Sequence, residues 1–445
     1  MRPRSWQGGA GVSVPLRQGG RVSVDFTEGF SETNNPFFTL NSSHSNDLTF
    51  RLQQNLLRNA GRRANTYSIR VAEYNRQLGE AATKLEVIRR LADVDRSYWV
   101  LNAYSRALQV RLDELRDAQQ DMESIRRKVD AGVLRNIDNL RARNAAAGKL
   151  PGMIAAENQF LEDQRRIKRL MNRPDVPVES ATILETATPP APTPYAFDRD
   201  ELVRIALETR MEMLRLELQL AQDFSAIEFA KNQALPSFVL DYRYSIQGLG
   251  QSLSDASTVL RDNDFESWSV SVTGEIPIGN EAAKSRVRQA ILARIQRLST
   301  RQAQQQAITE EVLSAIDRVN SQWEQVLAGR QALILATETY DAERRLIDQG
   351  AKSEISSDLL NANTDRANRE LDLIQAEANY QIALVNLAFA TGTLLGAAKV
   401  EWVPEGGADD PGNDPTPPAF PVYGDPEEAR IVPAQGRPVE PAAGH

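Results

Sequence analysis

The sequence predicts a mainly α-helical protein with a small β part, in which long antiparallel helical hairpins dominate. Three observations lead to this fold class. Apolar residues recur every three or four positions over two very long stretches. The two stretches share one spacing pattern, and shorter segments with strictly alternating apolar residues precede them. Aromatic residues make up only 6% of the chain, which favours long exposed helices over a thick globular core.

The spacing of helices and turns indicates an internal duplication. The segments Tyr98–Gly132 and Ile316–Gly350 each place a helical residue 34 positions before a turn glycine, at an offset of 218 residues (316 − 98). The segments Ala142–Asn172 and Ala362–Gly392 each span 30 positions at an offset of 220 (362 − 142). A repeat with constant helix lengths on both sides of a turn predicts a duplicated hairpin whose second turn carries two extra residues.

Composition excludes several function classes. The chain has no cysteine, so it has no disulfide, thiolate metal site or cysteine nucleophile. It has two histidines, His44 and His445, which argues against hydrolytic and metal catalysis. Net charge is −8 and the basic residues do not form a stripe, which argues against a nucleic-acid partner. No apolar run approaches the roughly 18 residues of a transmembrane helix, and Met1–Trp6 does not lead into a signal-peptide core.

The first copy combines alternating strands with a long hairpin. Residues 1–57 are predicted as a first β-hairpin with a polar loop over Thr27–Asp47, because Val12, Val14 and their counterparts alternate with polar residues. Residues 58–172 are predicted as the first long helical hairpin, with helices over 62–131 and 136–171. Its apolar stripe comprises Ile88, Leu91, Tyr98, Leu101, Leu108, Leu112, Leu115, Met122, Ile125 and Val129.

The segment between the copies starts with an extended connector. Residues 173–197 hold six prolines and are predicted to be extended. A helix is predicted over 198–234, with Asp198 or Asp200 as its cap and Pro236 beyond its end. Residues 235–279 alternate again around Tyr242 and Val270, which predicts the second β-hairpin.

The second copy ends in a tail of different composition. Residues 280–395 are predicted as the second long helical hairpin, with a return helix over 355–390. Residues 396–445 are rich in proline and acidic residues, which predicts a disordered tail. The apolar stripe of the outgoing helix comprises Ile291, Ile295, Leu298, Ile308, Val312, Ile316, Val319, Trp323, Val326, Leu333, Tyr340 and Ile347. Trp99 and Trp323 lie within the helical patterns, which makes them packing anchors rather than parts of a ligand box.

Four two-faced strands per chain cannot close on themselves, so a membrane barrel would require several chains. A soluble β-sandwich would show the same alternation over so short a stretch. The long helical stripes favour a wall of neighbouring helices with one face toward water.

Several segments in order resemble one known family, the TolC-like outer-membrane efflux proteins. The resemblance covers about residues 10–400. No single motif decides it, and their order, spacing and duplication carry it together. The segments are Phe50–Asn59, Leu202–Arg210, Ala230–Pro236, Trp268–Gly279 and Asp358–Ala362 with its spacing to Gly392.

The resemblance implies a homotrimer whose four strands per chain build a twelve-stranded transmembrane β-barrel in the outer membrane, surrounded by lipid. Its helical hairpins would form a coiled-coil α-barrel across the periplasm. The expected function is the exit duct of a tripartite efflux or type I secretion system, without enzymatic activity or cofactor. Expected partners are a periplasmic adaptor (membrane fusion) protein and an inner-membrane pump of the RND or ABC type. The exported substrate stays open.

The resemblance also implies site residues at the two helical tips. The return helix of the second hairpin would narrow the pore entrance, and both tips would contact the adaptor. The expected entrance residues are Asp348, Glu354, Asp358 and Asn361, where Asn361 replaces a carboxylate of the family. The expected adaptor contacts are Ala131, Gly132, Val133, Leu134, Gly350, Ala351 and Lys352. The alternative is that these are ordinary solvated turn residues, with glycine in its usual place at a helix end.

The first copy has no helix ahead of its strands, unlike the second copy and the family. The expectation is therefore that the natural start lies upstream of Met1 or that the chain is a fragment. The second functional hypothesis is a soluble or surface coiled-coil scaffold with small β-domains. An enzyme is a distant third, because adjacent carboxylates such as Glu310 and Glu311 do not share a helix face.

Overall fold

The computed structural model describes residues 4–33, 40–349 and 357–400. The chain divides into two compact units. Residues 1–79 and 215–302 form the first, here named the sheet unit, and residues 80–214 and 303–445 form the second, the helical unit. Within the described residues, no helix is both long enough and apolar enough to cross a lipid bilayer.

The sheet unit contains one antiparallel sheet in which sequential strands are neighbours. Its strands are β1 (Arg4–Pro15), β2 (Gly20–Glu32), β3 (Ser42–Asn55), β4 (Ser237–Gly250) and β5 (Glu266–Glu275). The described part of the chain therefore holds five strands, and the prediction of four was wrong. The mainly helical fold class with a small antiparallel β part is confirmed.

The miscount came from the first β segment. A tight turn joins β1 and β2, where the Leu16 amide donates to the Gly20 carbonyl at 2.8 Å and Gly19 adopts φ 92°. The segment predicted as a polar loop, Thr27–Asp47, is largely strand, because β2 extends to Glu32 and β3 starts at Ser42. Serine and threonine there occupy the polar face of the strands and do not mark a loop.

The first copy contains α1 (Arg62–Asn65), α2 (Tyr67–Asp130) and α3 (Asn136–Met171). The second contains α7 (Glu281–Asp348) and α8 (Ser357–Ala390), followed by α9 (Leu394–Ala397). The duplication is visible in the backbone, since α2 and α7 end 218 residues apart (348 − 130). The left-handed glycines Gly61 (φ 86°) and Gly279 (φ 78°), which precede the first helix of each copy, are separated by the same 218 residues (279 − 61).

The helix predicted ahead of β4 is two helices, α4 (Arg199–Thr209) and α5 (Met211–Gln233). Between them Arg210 is extended, with φ −69° and ψ 131°. Its buried guanidinium donates to Glu212 at 2.8 Å and also to Glu311 of α7. The prediction of a continuous helix was wrong because these tertiary contacts hold Arg210 out of the helical conformation.

An apolar cluster between α7 and α8 forms the largest core of the helical unit, and Trp323 packs against it with its ring centroid 5.6 Å from that of Tyr380. Smaller clusters join α2 to α8, and Trp99 packs against one of them. The two tryptophans are therefore packing residues, as predicted. Every described residue of the predicted α2 stripe is buried or half-buried. On α7, Ile291, Ile295 and Leu298 are exposed whereas the rest of the stripe is buried or half-buried.

The connector over 173–197 has no helix or strand and is held by side chains of the first hairpin. Lys168 Nζ donates to the Ser180 carbonyl at 2.8 Å. The Gln164 amide exchanges two hydrogen bonds with the backbone of Leu184, at 2.7 and 2.9 Å. These bonds satisfy backbone groups that an extended segment cannot pair by itself.

Candidate channel surfaces

The sheet has one continuous apolar face. Directly opposed residues in an antiparallel ladder point to the same side, so the registers of successive strand pairs define rows across the sheet. Each row is apolar from the first strand to the fifth. One row is Val12, Val24, Phe50, Tyr244 and Trp268, and its neighbour is Val14, Val22, Leu52, Tyr242 and Val270. Several of these side chains are exposed, Val12 to 69% and Trp268 to 68%.

The opposite face of the sheet is polar. One of its rows consists of Ser13, Ser23, Arg51, Arg243 and Ser269. On this face Arg51 Nε donates to Asp241 at 2.6 Å, and Gln247 donates to Asp47 at 3.2 Å. A sheet with one apolar and one polar face separates apolar surroundings from water, which a lipid-facing wall requires.

A short helix, α6 (Leu253–Asp262), covers the end of the apolar face near the β4–β5 connection. Gly248 and Gly250 of β4 make room for it, because a Cβ at Gly248 would approach the Ala256 carbonyl oxygen to 2.1 Å. Ala256 is completely buried, and Asn46 of β3 donates to Ser257 Oγ at 3.1 Å. The sequence had suggested only a polar loop here, and the two glycines were the signal of a close approach.

The tip of the first hairpin is a glycine-terminated turn. Gly132 adopts φ 75°, the Val133 amide donates to the Lys128 carbonyl at 2.8 Å, and the Gly132 amide donates to the Val129 carbonyl at 2.9 Å. This is the Schellman pattern that ends many helices. Val133 is 71% exposed, so it presents an apolar side chain at the tip. Of the predicted adaptor contacts, Ala131, Gly132, Val133 and Leu134 therefore lie together on one turn.

The tip of the second hairpin lies partly outside the described residues. The predicted adaptor contacts Gly350, Ala351 and Lys352 and the predicted entrance residue Glu354 fall there. Asp348 is the last residue of α7, and Asp358 lies in the first turn of α8. Asp358 and Asn361 are both exposed and three positions apart, which places them on one face of α8. Their role at a pore entrance stays a prediction.

A buried ionic cluster joins α2, α3 and α8 behind the tips. The Glu114 side chain is 3% exposed and accepts from Lys149 of α3 at 2.5 Å and from Arg111 at 2.7 Å. Lys149 also donates to Thr364 Oγ1 of α8 at 2.9 Å. This cluster was not predicted from the sequence, although a glutamate close to the apolar stripe of α2 could have indicated it.

The buried carboxylates of this region titrate in opposite directions. Burial alone would raise the pKa of Glu114, but hydrogen bonds from Lys149 and Arg111 outweigh it, so this pKa lies below its ordinary value. Asp121, two turns further along α2, has its pKa raised by burial, which Arg344 counteracts only in part. The charge of Glu114 is thus stabilised by the fold and that of Asp121 is not.

Among the described residues, no cluster of histidine, cysteine or carboxylate side chains could hold a metal ion. Two cavities stand out. One, about 370 Å³, lies between α2 and α8 and is lined by charged residues such as Arg106 and Arg366. The other, about 550 Å³, lies in the sheet unit beside Arg63 and Phe224.

Residues 202–393 match the family model described as outer membrane efflux protein. Through these residues, the chain belongs to the outer membrane efflux protein family. No curated protein matches it significantly in sequence. The family match and the fold together are those of an outer-membrane efflux channel, not of an enzyme.

Solved channels share the fold over most of both chains. The CmeC outer membrane channel of Campylobacter jejuni is 13% identical with a TM-score of 0.62, covering 88% of this chain and 78% of that one. The open-state MtrE outer membrane channel of Neisseria gonorrhoeae is 15% identical with a TM-score of 0.60, covering 88% and 81%. The outer membrane protein VceC of Vibrio cholerae is 11% identical with a TM-score of 0.61, covering 88% and 87%.

Proposed function

We propose that several copies of this chain, three by analogy with the family, assemble into the exit duct of a tripartite efflux or type I secretion system. The observation that carries the proposal is the five-stranded sheet with an exposed apolar face, a polar opposite face and two unpaired edges. One copy cannot cover that face or close those edges, whereas a ring of copies in a lipid membrane does both.

The long helices supply a second contact between copies. An exposed apolar stripe runs along α3, and the first turns of the α7 stripe are exposed as well. The α3 stripe consists of Ile137, Leu140, Leu150, Ile154 and Leu161, each at least 37% exposed. Their spacing by threes, fours and sevens keeps them on one face, which suits a helix that packs against a helix of a neighbouring copy.

In this assembly the polar face of the sheet lines the exit, and the helical hairpins continue the duct through the periplasm. The exposed Val133 at the first tip supplies an apolar contact for a periplasmic adaptor protein, and an inner-membrane pump supplies the energy. The chain is therefore located in the outer membrane and extends into the periplasm.

The assembly is tested by fractionation and mass. We expect the protein in the outer-membrane fraction, soluble only with detergent, and a detergent-corrected mass of three chains. A monomer or dimer that stays soluble in plain buffer would overturn the proposal and favour a coiled-coil scaffold.

The entrance is tested by charge removal on α8. In planar bilayers we expect Asp358→Asn to lower cation selectivity and weaken block by multivalent cations, because like charges from several copies at a narrow aperture favour cations. The matched control is Asp372→Asn, an exposed carboxylate on the same helix about 21 Å from Asp358 at 1.5 Å per residue. Equal behaviour of the two variants would reject an entrance at Asp358.

A further inference from the structure

The two edge strands of the sheet, β1 and β5, run in the same direction. The strand order is β1-β2-β3-β4-β5 and every neighbouring pair is antiparallel. Direction therefore alternates along the sheet, and the first and fifth strands agree. An even number of strands would have given opposed edges, so the fifth strand changes what the sheet can join.

Both edges are built for pairing and carry none of the usual protection. Every residue of β1 and of β5 is exposed. No charged residue occurs over Ser5–Pro15 or over Ser267–Gly274. Natural sheets normally protect edges with lysine, inward charges or bulges, and a long uncharged edge is a template for another strand.

The edges also agree in chemistry. On β1, Val12 and Val14 belong to the apolar face and Ser13 to the polar face. On β5, Trp268, Val270 and Val272 belong to the apolar face, and the alternating serines belong to the polar face. When β5 of one copy meets β1 of the next, the apolar face therefore continues across the junction on one side and the polar face on the other.

We propose that copies of this chain close their shared sheet through a parallel junction between β5 of one copy and β1 of the next. This rests on the proposed function, in which a ring of copies shares one sheet. A head-to-tail contact of this kind between two different surfaces generates a closed ring when its rotation permits. Three copies would share fifteen strands (three times five), not the twelve expected from the family.

The competing arrangement removes β1 from the sheet. In that case β2, which runs opposite to β5, would meet β5 of the next copy in an antiparallel junction. It would cost the whole β1–β2 ladder, which runs from Arg4 opposite Glu32 to Pro15 opposite Arg21, and its hydrogen-bonded turn. Parallel pairing is only slightly less stable per residue than antiparallel pairing, so the retained ladder favours the parallel junction.

Cysteine cross-linking separates the two arrangements, because the chain has no cysteine of its own. One series of double variants combines cysteine at Ala10, Val12 or Val14 of β1 with cysteine at Trp268, Val270 or Val272 of β5. The matched series replaces the β1 positions by Val22, Val24 and Phe26 of β2, which lie on the same face. Val12→Cys with Val24→Cys, directly opposed within one chain, controls for oxidation efficiency.

We expect covalent dimers and trimers in the β1 series only, several-fold more abundant for matched pairs than for pairs displaced by two residues. In a parallel junction the best partner on β5 moves up by two when the β1 position moves up by two. Cross-links in the β2 series whose partners move down as the β2 position moves up would overturn the parallel junction while leaving a trimeric channel intact. A trimer, verified by detergent-corrected mass, with no cross-link in either series would also overturn it. A protein that is monomeric by mass would overturn both this inference and the proposed function.

Discussion

The two return helices, α3 and α8, hold equivalent places in the repeat but are held by different forces. Along α8 the buried residues are almost entirely apolar, with Glu377 as the charged exception. Along α3 half of the buried residues are polar. The buried residues of α3 are Ala142, Ala146, Phe160 and Ile167 on the apolar side and Asp138, Asp163, Gln164 and Lys168 on the polar side.

The difference follows from the number of neighbours. α8 packs against α7 through one apolar cluster and against α2 through others, so two of its faces are covered. α3 packs mainly on α2 and the connector and leaves an apolar stripe exposed. A duplicated hairpin can thus serve two purposes, since one copy forms the apolar core of a protomer and the other offers a surface to another protomer.

The largest expected effect is a cavity in α8. Ile374, 3% exposed, packs against Ala103 and Val110 of α2. Ile374→Ala should lower the free energy of unfolding by about 3 kcal/mol, because it removes buried methyl groups and leaves a cavity. The measurement is urea unfolding in detergent, followed by helical circular dichroism.

The matched variant places the same substitution on α3. Ile154 is 52% exposed within one chain, so Ile154→Ala should leave protomer unfolding nearly unchanged. Any loss should depend on protein concentration, because the α3 stripe contacts another copy. Equal, concentration-independent losses for both variants would contradict the difference between the two return helices.

The next effect concerns the ionic support of α3. Glu114→Gln should lower the free energy of unfolding by about 2 kcal/mol, because it removes one partner of a buried charge cluster and leaves Lys149 and Arg111 uncompensated. The partly exposed basic side chains reduce the loss below that of a fully buried pair. The adjacent Asp113→Asn is the control, since Asp113 forms an exposed ion pair with Arg116 that should contribute little. An equal loss for both variants would exclude a special role of the buried cluster.

Acid should weaken the same support by a smaller amount. The pKa of Glu114 is lowered in the folded state, so its contribution to stability is complete above the unfolded pKa of about 4.3 and is lost as pH falls through the folded pKa. The protonated carboxyl still accepts a hydrogen bond, which keeps the loss below that of Glu114→Gln. Unfolding midpoints from pH 7 down to pH 3 should fall more steeply for the natural protein than for Glu114→Gln. Parallel curves would assign the acid sensitivity to other carboxylates.

The sequence was sufficient for the long helices because their signal is repeated many times. The stripe from Ile88 to Val129 placed the end of α2 within one residue, and the offset of 218 recurs in the backbone. Short-range signals were weaker. Gly8, Gly9 and Gly11 interrupt the alternation of β1, which hid the fifth strand.

Tertiary contacts account for the other misses. Nothing in the local pattern around Arg210 signals a helix break, because the carboxylates that hold it are Glu212 and the distant Glu311. The ion pair of Glu114 with Lys149 depends on how α2 and α3 pair, which spacing alone does not give. The tip residues came from family resemblance, and Asp358 and Asn361 are placed on one exposed face of α8.

The smallest effects distinguish two glycines of the first hairpin by sign. Gly132 ends α2 with φ 75° and Gly148 lies inside α3, and a methyl group added at either Cα would meet no atom within 4 Å. Crowding is therefore equal, and only backbone conformation differs. Gly132→Ala should cost about 1 kcal/mol because a side chain disfavours the left-handed region. Gly148→Ala should stabilise by about 0.5–1 kcal/mol because alanine loses less conformational entropy in a helix. Thermal unfolding of the two variants measures both changes, and a loss of stability for Gly148→Ala would show that α3 contacts a neighbouring copy there.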